Sequence, residues 1–287
     1  METRLFSNGK PIIFNGKILS HTYIPVSTWD VTTATYDNIS FSVTGTSLTA
    51  SSLFINSSGE DVYVLDGDTD SVYQYGMETP WDLSTISYVS KSFDATSQDN
   101  SWNGVHFKPD GTKMYLVGHI SNDVHQYTLS EAWDVSTASY DNKKHDCGSQ
   151  DGTPRSVHFK TDGTKFYIVG YNTNAIYQYS MLTPWDVSTA SYDSVSSSVS
   201  GQTLSTKSVH IDPNGTYYYI IDNNSIIYQY KMSTAWDLST SSYVDLFYAA
   251  GPTTGNSASA LHIKPDGFKL YVITYSSDMI YQFSMGD

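Results

Sequence analysis

This chain is poor in the side chains most chemistry relies on. It has a single cysteine, Cys147, so neither an internal disulfide nor a multi-thiolate zinc site can form. Charged residues make up only 15% of it, and 15 Lys and Arg face 29 Asp and Glu, a net charge of -14. That balance argues against nucleic acid or an anionic membrane as partner. No apolar run approaches the roughly 20 residues of a membrane span. The opening Met1-Glu2-Thr3-Arg4-Leu5 lacks the apolar stretch of a signal peptide. A Gly-x-Ser-x-Gly elbow, a glycine-rich phosphate loop, a His-Glu-x-x-His helix and recurring paired carboxylates are all missing. No catalytic residue is nominated, and the chain is read as non-enzymatic.

What is present is tyrosine, 24 copies, in a background of Ser, Thr, Asn and Gly. This is the vocabulary of β-sheet surfaces. Above all there is a repeat. Trp-Asp falls at 29–30, 81–82, 133–134, 185–186 and 236–237, in steps of 52, 52, 52 and 51 residues. Units of that size, copied in tandem, build solenoids or propellers.

Each unit reads as short strands. In one copy Val105-His106-Phe107 (strand a) meets the turn Pro109-Asp110-Gly111. Lys113-Met114-Tyr115-Leu116-Val117 (strand b), a polar loop and Val124-His125-Gln126-Tyr127 (strand c) follow. After Trp133-Asp134, Ser139-Tyr140 opens strand d. Four antiparallel strands per unit make a propeller blade. The fold class expected is therefore an all-β propeller.

Five a-b-c sets and five d strands are present, but out of phase. The first Trp-Asp unit, 29–43, is a d strand with no blade before it, and the last copy ends without one. Pairing the two closes a ring of five blades and removes free sheet edges. Residues 1–28 are then surplus, an arm with two Asn-Gly hairpin signals at Asn8-Gly9 and Asn15-Gly16. His21 and Tyr23 stand at the same offset from Trp29 as His125 and Tyr127 from Trp133. A shrunken sixth blade over 1–28 is thus the alternative; 29–287 is the propeller in either case.

The stretch Phe107-Lys108-Pro109-Asp110-Gly111-Thr112-Lys113-Met114-Tyr115-Leu116-Val117 resembles the repeat of the YVTN or lactonase-like propeller group, and strands a and b of all five copies share the likeness. That resemblance implies a propeller; the group includes both enzymes and binders. The tail Gln-Tyr-x-Met-x-Thr-Pro-Trp-Asp-x-Ser-Thr-x-Ser-Tyr, at 74–88 and 178–192, is similar to repeats of environmental bacterial and phage structural proteins. The Trp-Asp pairs do not make this a WD40 protein: Gly-His occurs in one copy alone, at Gly118-His119, and Trp-Asp sits past strand c instead of ending it.

Comparing the copies separates constant from variable parts. The a–b turns and c–d segments hardly change, whereas the b–c and d–a connections change freely and, by strand alternation, emerge on one face. Loops on a rigid frame are where binding is usually placed. The candidate ligand-binding residues on this variable face are Trp102, His119, Asn122, Tyr171, Asn172, Asn174, Asn223, Asn224 and Tyr275.

Other recurrent residues read as structure. His106, His158, His210 and His262 recur on strand a, with Phe54 in the fifth copy. Such a ring would suit a metal, but the phenylalanine shows an apolar group is tolerated. The expectation is a structural ring of buried histidines hydrogen-bonded between blades. Gln74, Gln126, Gln178, Gln229 and Gln282 are expected to form an inter-blade hydrogen-bond ladder. Each Trp should wedge between blades, and each Asp should cap the turn after it. Asp66, Asp68 and Asp70 have a spacing suited to calcium, yet their loop is too short for an EF-hand and lacks its glutamate. A solvated acidic loop is favoured, and no cofactor is assigned.

The leading expectation is a binding or structural propeller presenting its variable face to a glycan or a protein, on a virion or an extracellular surface, with residues 1–28 for particle attachment or homo-oligomerisation. The alternatives are a lactonase-like or glycan-cleaving enzyme with its site at the channel mouth, and a pure assembly module.

Overall fold

The computed structural model describes residues 29–46, 49–248 and 257–286, and four short strands before them. Those are Phe6–Ser7 paired with Lys10–Pro11 and Ile13–Phe14 paired with Lys17–Ile18, each antiparallel pair bracketing one Asn-Gly.

Five four-stranded antiparallel sheets form the ring. Blade 1 is Ala50–Ile55, Asp61–Asp66, Ser71–Met77 and Ile86–Asp94. Blade 2 is Trp102–Phe107, Lys113–Gly118, Asp123–Leu129 and Ala138–Asp146. Blade 3 is Pro154–Phe159, Lys165–Gly170, Ala175–Met181 and Ala190–Ser198. Blade 4 is Thr206–Ile211, Tyr217–Asp222, Ile226–Met232 and Ser241–Tyr248. Blade 5 is Ala258–Ile263, Lys269–Thr274 and Met279–Ser284, completed by Thr35–Ser42 from the start of the chain, with Ser284 opposite Thr35 and Met279 opposite Ser42. The ring is five-bladed and closed by that N-terminal strand, as the out-of-phase repeat predicts.

Each core lies between two neighbouring blades. Tyr63, Leu65 and Val72 of blade 1, for example, pack on Val105, Phe107, Met114 and Leu116 of blade 2. The b strands are sandwiched on both faces, so Met114-Tyr115-Leu116-Val117 reads as an unbroken apolar run instead of alternating.

The Trp-Asp segment is the clasp between blades. Trp133 sits at φ 68°, a backbone region unfavourable for a bulky residue. Three contacts hold it there. Its amide donates to the Gly111 carbonyl (3.0 Å). Its carbonyl accepts from Tyr63 Oη of blade 1 (2.7 Å). Its indole lies so close over Gly111 that a Cβ on that glycine would come within 2.4 Å of the ring. Gly111 is itself at φ 73°, so only glycine suits the position. Asp134 then caps the short 3-10 turn Val135–Thr137 by accepting from the Ser136 amide at 3.0 Å. The turn's first amide, that of Val135, donates to Gln74 Oε1 of blade 1 at 3.2 Å.

The same two inter-blade bonds recur at all five interfaces. Tyr115, Tyr167, Tyr219 and Tyr271 donate to the carbonyls of Trp185, Trp236, Trp29 and Trp81. Gln126, Gln178, Gln229 and Gln282 accept from the amides of Val187, Leu238, Val31 and Leu83. The glutamine ladder, the tryptophan wedge and the aspartate cap expected from the repeat are thus present. The tyrosine half of the clasp recurs every 52 residues as well, at Tyr63, Tyr115, Tyr167, Tyr219 and Tyr271, but only the fold shows which carbonyl each hydroxyl meets.

Candidate functional site: the central channel and its variable mouth

The ring histidines do not hydrogen-bond between blades as expected. They turn toward the axis and meet edge to face: His106–His158 at 5.0 Å, His158–His210 at 5.2 Å and His210–His262 at 5.1 Å between ring centroids. Phe54 completes the circle, 5.1 Å from His106 and 5.4 Å from His262. Alternation rightly puts His106 opposite Val105 and Phe107. On the innermost strand of a twisted blade, however, the opposite side is the channel and not the next blade. Burial depresses the imidazoles, with His106 and His210 pushed down to about 3 and His158 and His262 also well below the ordinary range. Four neutral histidines and a phenylalanine therefore plug the channel. Among the described residues, no group of three or more His, Cys, Asp or Glu is placed to hold a metal.

The plug divides the channel in two. Below it, on the face of the constant turns, is an apolar vestibule of about 120 Å³ walled by Phe107, Phe159, Trp133, Trp185, Pro109 and Pro213. Above it is a polar space of about 30 Å³. There Ser52 and Ser156 staple neighbouring a strands, accepting from the Val105 amide (3.2 Å) and the Val209 amide (3.4 Å).

The b–c and d–a loops meet around the upper mouth, on one face. Asp99 from one d–a loop accepts from the Ser121 amide at 2.8 Å, and Asp151 from the next accepts from the Thr173 amide at 2.8 Å. The candidate residues divide here. Asn172, Asn224 and Tyr275 are exposed, and His119, Asn122, Tyr171 and Asn223 are partly so. Two are corrected: Trp102 is 1% exposed in the core between blades 1 and 2, and Asn174 is buried, with its Oδ1 accepting from the Thr206 amide. Trp102 begins strand a instead of ending a loop, which is why it turns inward. Cys147 is also buried, which pushes its thiol up to about 12 and leaves it unreactive.

Asp66, Asp68 and Asp70 are not grouped to hold a metal ion. Asp66 is buried and accepts from the Thr49, Asp68 and Thr69 amides, whereas Asp68 is exposed. Asp70 is buried, and its carboxyl is raised by that burial and by the surrounding carboxylates of Asp99, Asp66, Asp94 and Asp68.

The structure adds three mouth residues to the candidates. Each a strand has a bulge at its second residue, where the register with strand b shifts. That residue is Ser51, Asn103, Arg155, Lys207 or Ser259 in the five blades. Asn103, Arg155 and Lys207 lie side by side. Arg155 Nη1 donates to Asn103 Oδ1 at 3.0 Å, and Asn103 Nδ2 donates to the Pro154 carbonyl at 3.0 Å. The guanidinium carbon of Arg155 stands 4.9 Å, and Lys207 Nζ 5.7 Å, from the centre of the Tyr171 ring. The signal available in the sequence was a column three residues before the ring histidine that carries a cation in two copies, Arg155 and Lys207, and Ser or Asn in the others.

A closed five-bladed β-propeller with a plugged channel and a built upper mouth is the class these features define. No protein-family profile matches the chain, and no curated protein matches it. Among solved structures it is similar to a "putative 6-phosphogluconolactonase" from Bacteroides uniformis ATCC 8492, at 13% identity and TM-score 0.51 over 82% of this chain and 67% of that one. It is also similar to the Cps50 (Swd1) β-propeller domain of Myceliophteria thermophila, at 10% identity and TM-score 0.50 over 83% and 96%. A third is a functionally unknown protein from Desulfotomaculum acetoxidans DSM 771, at 13% identity and TM-score 0.47 over 79% of this chain, which spans 62% of that protein. At such identities the likeness is one of fold.

Proposed function

We propose that this chain is a non-enzymatic binding propeller that presents its variable face to a glycan or a glycan-bearing protein surface. The observation that carries this is the division between the faces. The constant turns, with their Trp, Gly and Gln, are used up in clasping blades together, whereas the varied loops converge on the upper mouth with exposed Tyr275, Asn172 and Asn224. Tyrosine and asparagine on a rigid frame suit adaptable polar recognition. A catalytic channel mouth would gather carboxylates and free histidines from several blades. Here Asp99 and Asp151 are engaged by loop amides, and the four ring histidines form the plug. A virion or cell surface is the setting we propose, with residues 1–28 as the attachment element.

A glycan-array screen of the full chain, with and without calcium, tests the reading. Binding is expected, and Tyr171→Ala, Asn172→Ala, Asn223→Ala or Tyr275→Ala should each weaken it about tenfold, the loss of roughly one good contact. Binding that needed calcium would bring the 66–70 loop into the site. A negative array, with a change of solution mass on deleting 1–28, would favour an assembly module. Turnover of a lactone or a glycosidic substrate that the same variants abolish would make the mouth catalytic.

A further inference from the structure

Arg155 and Lys207 are out of keeping with the rest of the molecule. In a chain of net charge -14, nine lysines pair with carboxylates, at 2.6 to 3.1 Å. Arg155 and Lys207 make no ion pair with a described residue; Lys231 makes none either, but it is exposed to solvent over the Tyr217 ring. Instead Arg155 and Lys207 share one tyrosine ring and repel each other. Burial lowers the basicity of both, and Arg155 lowers that of Lys207 further. Arg155 Nε is buried with no hydrogen-bond partner, an expensive state for a guanidinium. The nearby Asp151 does not compensate, because it is taken up by the Thr153 amide and by the amide and hydroxyl of Thr173.

The fold does not require cations there. The same bulge position holds Ser51, Asn103 and Ser259 in the other blades, with the same register shift. The two charges are thus an addition to the frame. Asn103, anchored on the Pro154 carbonyl, holds one end of the guanidinium through Nη1 and fixes the direction in which the group faces.

We propose that Arg155, Lys207 and Tyr171 form an oxyanion seat at the upper channel mouth, and that its ligand is an acidic saccharide bearing a carboxylate or a sulfate. The carboxylate or sulfate accepts from the guanidinium N–H groups of Arg155 that Asn103 leaves unengaged and from the Lys207 ammonium, an arrangement in which charge-assisted bonds are strong and directional. The sugar ring then lies toward Tyr275 and the Asn172 and Asn223 loops. This inference rests on the variable face being the binding face, and it names the ligand class for that face.

The test is calorimetric titration of the full chain with three oligosaccharides of equal length: a uronan, a sulfated galactan and a neutral glucan. At least one acidic probe is expected to bind ten times or more tightly than the neutral one, with the advantage shrinking as salt rises. Arg155→Gln and Lys207→Gln should each remove most of that advantage, and the double variant all of it, with thermal unfolding unchanged because neutral residues occupy this position in other blades. The uronan and sulfated arms separate the two anion types. Equal affinity for acidic and neutral sugars, or a double variant that still discriminates, would overturn the seat while leaving the binding face intact. An acidic peptide that matched the best saccharide would overturn the ligand class. Absence of all binding would overturn the seat, and with a negative array it would remove the glycan reading as well.

Discussion

Between pH 7 and pH 5 the protein is expected to lose a large part of its stability, before most of its carboxylates titrate. The cause is the plug. In the folded ring the four histidines stay neutral, because burial and their mutual proximity disfavour imidazolium. In the unfolded chain they take up protons around pH 6.5. The folded values are depressed, so the unfolded state binds more protons below that pH, and stability is full above pH 6.5 and falls as the solution is acidified. Each such group costs about 1.4 kcal/mol per pH unit in that window, and four cost about 5. Against a typical stability of about 5–15 kcal/mol, that places acid unfolding about one to three units below pH 6.5. His119, His125 and His145, also depressed mainly by burial, act in the same direction. Denaturant titrations at several pH values read the slope directly. His158→Phe, which copies the residue blade 1 already carries as Phe54, should cut the contribution of the plug by about a quarter. A stability that stays flat from pH 7 to pH 5 would mean the histidines are not held neutral.

Removing residues 1–43 is expected to abolish cooperative folding, whereas removing only 1–28 should leave it in place. The longer deletion takes away the closing strand Thr35–Ser42 and leaves the strand Met279–Ser284 without its described partner on that edge. Asp37 would no longer accept from Lys269 Nζ and Gln282 Nε2, both at 2.7 Å. Tyr219 and Gln229 would lose their clasp partners at Trp29 and Val31. Buried Trp29, Val31 and Ala34 would leave the core with the partly buried Tyr36, Ile39 and Phe41. At about 1.5–3 kcal/mol for each large side chain, the loss rivals the whole stability of a domain. An exposed edge also invites strand pairing between molecules. Thermal unfolding together with solution mass checks this. A monomeric, cooperatively melting 44–287 chain would contradict closure by this strand.

Much of this was legible in the sequence because the repeat is an alignment carried within one chain. The phase offset between the d strands and the a-b-c sets was enough to predict the closure by 29–43. Gln126 and its counterparts stood out because an amide that never varies in a buried strand needs a fixed partner. Other features depend on the direction in which a side chain leaves a curved sheet. The histidines were given the right side of their strand, but what lay beyond it depended on blade twist. Trp102 looked like a loop residue until strand a was seen to begin there. Lys207 and Asn103 escaped notice because a bulge, which no local pattern announces, turns their column toward the mouth.

The most direct test of the two-faced account is to measure thermal unfolding and array binding side by side for Gly111→Ala and Tyr171→Ala. Gly111→Ala, which forces a Cβ against the Trp133 indole, should destabilise the protein by about 2–4 kcal/mol and leave ligand preference unchanged at a temperature where it remains folded. Tyr171→Ala should leave the melting transition nearly unmoved and weaken ligand binding about tenfold. Binding specificity altered by Gly111→Ala, or full binding retained by Tyr171→Ala, would contradict the assignment of structure to one face and recognition to the other.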